Sequence, residues 1–147
     1  MEKNKRRRIA SGFTMVELMA ILVIIGLLAA VVAQNVVSKI DKAKVTTSKV
    51  SLQVLRNAVT QFKLDTGDFP SEDTGLQELI EQPSDVSGWQ EGGYLETTEV
   101  PKDAWGNDFI YERYPPSGKP FVIISYGADG EEGGEGNNAD LLSTDAE

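Results

Sequence analysis

The densest chemistry in this sequence lies near its C-terminus, in the string GADGEEGGEGNNAD, residues 127 to 140, which holds five glycines and five carboxylates. Closing such a loop orders permissive backbone and brings like charges together, and both are costly. A hard divalent cation relieves both costs. Calcium takes six to eight oxygen ligands from carboxylates and carbonyls, in a shell that a flexible glycine loop can wrap. Asp129 and Asp140 stand twelve positions apart inclusive, with Gly134 sixth, which is EF-hand spacing, but Glu131 third and Gly133 fifth depart from that pattern. The alternative is a solvated acidic tail.

A second carboxylate stands out by its surroundings. Glu17 opens a run in which every residue from Leu18 to Ala33 is apolar or Gly26, and no further charge appears before Lys39. A charge at membrane depth is expensive without a partner, so Glu17 either meets a positive group or stays solvated at the headgroup boundary. Other chemistry is scarce. The chain has neither cysteine nor histidine, which removes disulfides, thiolate metal sites and the commonest general base. No arrangement of the remaining serines, lysines and carboxylates resembles a catalytic set, so no enzyme is expected.

The elements that must position these residues begin with the uncharged run, roughly 20 residues or about 30 Å of helix, enough to span a bilayer. Lys3, Lys5, Arg6, Arg7 and Arg8 precede it. By the positive-inside rule this cluster stays cytoplasmic and the bulk of the chain lies across the membrane. Loss of residues 1 to 12 would remove five positive charges and one negative, taking the formal net charge from −9 to −13. Nucleic acid is therefore not an expected partner. An ordinary secretory signal cut after Ala30 or Ala33 is disfavoured by Glu17 and by the absence of turn residues there.

Beyond Lys39 the pattern turns amphipathic, with Val45, Leu52 and Val59 at one heptad position and Ser48, Leu55 and Phe62 at another. No proline or glycine interrupts Leu27 to Thr66, and Gly67 then Pro70 supply a stop. One helix from about Thr14 to Asp65, roughly 78 Å long, is expected; two heptads are too few for a coiled coil. Downstream, Thr74 or Asp73 can cap a short helix through Leu76, Leu79 and Ile80, ended by Pro83. Phe109–Glu112 and Phe121–Tyr126 read as an antiparallel pair across the turn YPPSGKP. Trp89, Tyr94, Trp105, Phe109 and Phe121 are expected to pack rather than to form a ligand platform.

The string SGFTMVEL, residues 11 to 18, between the basic leader and the apolar run, resembles the class III signal of type IV pilins and pseudopilins. That resemblance implies cleavage after Gly12 by a prepilin peptidase, methylation of Phe13, and pairing of Glu17 with the α-amine of a neighbouring subunit during assembly. Further on, KLDTGDFP, EDTGLQELI, EGGYLE and VPKDAWGNDFIYE follow the order found in major pseudopilins of the type II secretion system. That family binds calcium in a loop of similar composition. The resemblance places Asp129 and Asp140 among the ligands, with carbonyls around Tyr126, Glu131 and Gly134, and Asn138 or water where relatives carry another acid and this chain has Ala139. Three departures stand out: Gln34 where many relatives have proline, Ala104 in DAWG where they have DPWG, and LLSTDAE in place of a GNW ending.

The expected architecture is α+β and type IV pilin-like, a long N-terminal helix packed on a small antiparallel sheet with a C-terminal calcium loop. Its expected parts are a cleaved leader (residues 1–12), a membrane or filament-core half-helix (13–38), an amphipathic half-helix (39–66) and a periplasmic globular region (67–147). The resemblance implies the major subunit of a periplasmic pseudopilus, a homopolymer anchored in the inner membrane. Its partners would be the secretion platform and minor pseudopilins, and its growth would drive folded proteins outward. The alternatives are a type IV pilin for adhesion, motility or DNA uptake, and an anchored calcium-binding periplasmic domain that never polymerises.

Overall fold

The computed structural model describes residues 12 to 145, so most of the basic leader lies outside it. Helix α1 runs Met15–Thr66. By its packing the chain divides into two compact units between Lys39 and Ile40. In the first, α1 is apolar and exposed, with Leu22, Ile25, Leu28 and Val32 each more than half accessible. Length and composition suffice for this helix to cross a membrane.

In the second unit α1 carries the core stripe anticipated from the heptads. Leu52, Leu55, Val59 and Phe62 are fully buried, and Ala58 joins them on the same face. At about 1.5–3 kcal/mol for each large side chain removed from water, this stripe is the main reason the segment stays helical. The helix ends as anticipated: Gly67 takes φ +90°, its N–H reaches the Lys63 carbonyl at 3.0 Å, and Lys63 Nζ donates to the Gly67 carbonyl.

Strands β1 (Ile110–Arg113), β2 (Phe121–Ser125) and β3 (Leu141–Leu142) form one antiparallel sheet in the order β1-β2-β3. The register pairs Ile110 with Ile124 and Arg113 with Phe121, and β3 sets Leu142 against Ile124. Alternation along β2 puts Phe121, Ile123 and Ser125 on one face. Phe121 and Ile123 meet the α1 stripe, Leu76, Leu79 and Phe109 in a single core. Ser125 ends that inward row as a fully buried hydroxyl.

Two local expectations need correction. The segment after Thr74 forms a 3-10 turn, Gly75–Leu79, and Thr74 makes no side-chain cap. Its hydroxyl and that of Ser71 donate instead to the buried carboxylate of Glu78, a charge-assisted contact that fixes their orientation. The sheet also has three strands where the sequence indicated two.

Candidate functional site

At the N-terminus, Thr14 and Glu17 close a reciprocal cap on α1. The Glu17 N–H donates to Thr14 Oγ1 at 3.2 Å, while the Thr14 N–H and hydroxyl donate to Glu17 Oε2 at 2.8 and 3.0 Å. This is the capping box of a T-x-x-E sequence, and it satisfies donors that the first helical turn leaves open. The spacing was visible in the sequence, but the apolar surroundings drew attention to the charge alone. Both accepted bonds fall on Oε2, so Oε1 takes no part in the cap. Phe13, next to Thr14 in sequence, is 77% exposed.

The acidic loop is ordered by its own backbone. The Asp140 carboxylate accepts the Gly133 N–H at 3.0 and 3.1 Å, Asp129 Oδ1 accepts the Glu131 N–H at 3.2 Å, and the Ala128 N–H reaches the Asn137 carbonyl at 2.9 Å. Gly136–Asn138 is a single 3-10 turn, with the Asn138 N–H donating to the Glu135 carbonyl. Glycine is required where the two limbs of the loop touch. Gly127 has φ +65°, and a Cβ there would stand 2.8 Å from the Asn137 carbonyl oxygen; at Gly134, with φ +83°, it would stand 2.6 Å from that of Asn138.

Asp129 and Asp140 thus engage different peptide groups of one loop, and Asn138 is exposed on its far limb. Among the described residues no three His, Cys, Asp or Glu side chains cluster as metal ligands. The donors that the loop does offer are all oxygens. Among the described residues, the carbonyls of Tyr126, Glu131 and Gly134 accept no hydrogen bond. Two carboxylates with free carbonyls are a donor set that suits a hard cation such as calcium, with most ligands supplied by backbone.

Beneath the loop lies a buried polar network that sequence reasoning missed. Asp103, 5% exposed, accepts the Trp105 and Asn107 N–H groups on Oδ1 at 3.0 and 2.8 Å and the Ser125 hydroxyl on Oδ2 at 2.7 Å. A buried carboxylate is tolerated when its lone pairs are filled in this way. Ser125 Oγ also accepts the Gly127 N–H at 3.4 Å, and Asn107 Nδ2 donates to the Gly127 carbonyl at 2.8 Å. From α1, the buried Ser48 Oγ accepts the Ala104 N–H at 3.0 Å. A proline at position 104 would abolish that bond, because proline has no N–H. The available clues were a serine at an inward strand position and another in a helix stripe.

The aromatic residues mostly pack, as anticipated. Phe62 and Tyr94 lie 5.4 Å apart, Trp89 meets Tyr94 edge-on at 5.9 Å, and Trp89 Nε1 donates to the Glu78 carbonyl. Trp105 is partly exposed and stands outside the core.

Comparison with known proteins places these features together. The family model described as type II secretion system (T2SS), protein G, matches residues 35–144, and the prokaryotic N-terminal methylation motif matches residues 7–33, the stretch holding Gly12, Phe13 and Glu17. The chain is 41% identical over 143 residues to the type II secretion system core protein G of Pseudomonas aeruginosa, covering 95% of this chain and 99% of the relative. It is 38% identical over 140 residues to that of Vibrio cholerae, covering 93% of each. The crystal structure of the major pseudopilin from the type 2 secretion system of enterohaemorrhagic Escherichia coli shares the fold, with a TM-score of 0.61 at 24% identity over 74% of this chain and 92% of that one. An exposed apolar helix opening at a methylation motif, followed by a domain that one family model covers almost to its end, has a single reading: the chain belongs to the type II secretion system protein G family.

Proposed function

We propose that this chain is the major structural subunit of a periplasmic type II pseudopilus. Its work is mechanical: subunits held in the inner membrane by the first unit of α1 are added to a helical homopolymer whose growth drives folded proteins outward. The observation that carries this reading is the contrast along α1, apolar and exposed through the first unit yet committed to a core in the second. Exposed apolar surface of that extent needs a partner, first lipid and then the same helix of neighbouring subunits.

Processing removes residues 1–12 at the cytoplasmic face, and a prepilin peptidase methylates Phe13. Among the described residues a side chain at Gly12 would meet nothing within 4 Å, so they make no demand for glycine there, which fits a residue read by the peptidase. Glu17 pairs with the α-amine of a neighbouring Phe13 in the filament; the cap uses Oε2 alone, which supports Oε1 as the partner of that amine. The soluble domain stands in the periplasm, where the secretion platform and minor pseudopilins are its other partners. Asp129, Asp140 and Asn138, with carbonyls of the same loop, hold calcium, which neutralises the loop's carboxylates and fixes its course.

Deletion of the gene tests the reading. Exoproteins should accumulate folded in the periplasm, and overproduction of the chain should yield filaments containing it. Unimpaired secretion accompanied by lost adhesion, motility or DNA uptake would make it a type IV pilin instead.

A further inference from the structure

We propose that Asp103 and Asn107 are positioning residues that shape the loop of residues 126–140 for its divalent cation without touching it. The inference rests on the calcium reading above and concerns how the loop is held, not which residues are ligands. The peptide bond is planar and trans here, so fixing one end of a peptide group orients the other. The Gly127 N–H is held by Ser125 Oγ, which turns the Tyr126 carbonyl to the opposite side. In the next peptide group the Gly127 carbonyl is held by Asn107 Nδ2, and the Ala128 N–H points away to the Asn137 carbonyl.

Both holding groups are set by Asp103, whose Oδ2 accepts the Ser125 hydroxyl and whose Oδ1 accepts the Asn107 N–H. A single buried carboxylate therefore locks the two peptide planes flanking Gly127, two residues before Asp129. Asn107 Oδ1 also lies 3.4 Å from where a Cβ at Gly130 would be, so the same side chain lines the next turn. Preorganising a loop lowers the ordering cost that a cation would otherwise meet on binding. Asp103 is buried and both its oxygens already accept hydrogen bonds, which separates it from the ligands in kind.

The test uses the full chain in detergent micelles, with calcium chloride as the probe and titration calorimetry as the readout. Asp103→Asn risks general unfolding, so the partly exposed Asn107→Ala carries the test. In chelator its melting temperature should stay within a few degrees of wild type, while its calcium Kd rises at least tenfold. In the same metal-free sample, amide exchange at Gly127 and Ala128 should accelerate. A merely structural role would lower the melting temperature without changing the Kd. Wild-type binding with an unchanged Kd in Asn107→Ala overturns this proposal alone. Absence of calcium binding to the wild type overturns the calcium reading and this proposal with it.

Discussion

Ala104 offers a sharp test of how α1 is tied to the turn beneath the acidic loop. Its N–H donates to Ser48 Oγ at 3.0 Å, and Ser48 is completely buried. Ser48→Ala strands that N–H, at a cost of about 1–3 kcal/mol, partly offset by roughly 0.5 kcal/mol from the better helix former. Ala104→Pro replaces the amide hydrogen with a ring carbon aimed at the hydroxyl. The overlap costs about 1–3 kcal/mol. Position 104 follows Asp103 in a turn closed by the Gly106 N–H and the Asp103 carbonyl, a place where proline is otherwise favoured.

In Ser48→Ala/Ala104→Pro the unpaired donor and the obstructing oxygen are both gone, and the rigid turn recovers about 0.4–1 kcal/mol. The double variant should therefore be about as stable as wild type and more stable than either single, with a coupling of about 2 kcal/mol or more. Denaturant unfolding in micelles, read by tryptophan fluorescence, measures it, because Trp89 and Trp105 both lie in the second unit. Additive effects, with the double variant the least stable of the set, would refute the coupling of Ser48 and Ala104 through this bond.

Three further outcomes follow from the same structure. Glu17→Gln keeps a capping side chain but removes the charge, whereas Thr14→Ala breaks the cap and keeps the charge; filament yield in shear fractions should fall in the first and survive in the second, and the reverse would make Glu17 only a cap. Millimolar calcium should raise the melting temperature of the full chain over that in chelator, with magnesium less effective, and Asp129→Ala should abolish the shift; identical melts with and without calcium would remove the site. Phe62→Ala, which empties a fully buried position beside Tyr94, should lose about 3–5 kcal/mol in the same unfolding assay, and a loss below about 1 kcal/mol would mean the stripe is not the core.

The elements most legible in the sequence were those written in long-range periodicity. Fourteen positions separate Ser48 from Phe62, and the heptad pattern put both on the buried face, where they lie. The β1–β2 pair was legible from its aromatic and β-branched runs. Strand β3 was not, because two leucines have no period and the expected GNW ending is absent. The 3-10 form of Gly75–Leu79 is not legible in the sequence, because the bonds from two hydroxyls to Glu78 depend on burial, which local propensity does not carry. The loop's two aspartates could be named from composition and resemblance, whereas the Asp103 support arises from a contact between residues 22 positions apart, Asp103 and Ser125.

A processed subunit that polymerises is recognised by the intact mass and N-terminal sequence of this chain in sheared filaments. The filaments should contain, as their bulk component, a chain beginning at N-methylated Phe13. A chain that retains residues 1–12, or that begins after Ala30 or Ala33 and is missing from filaments, would contradict it.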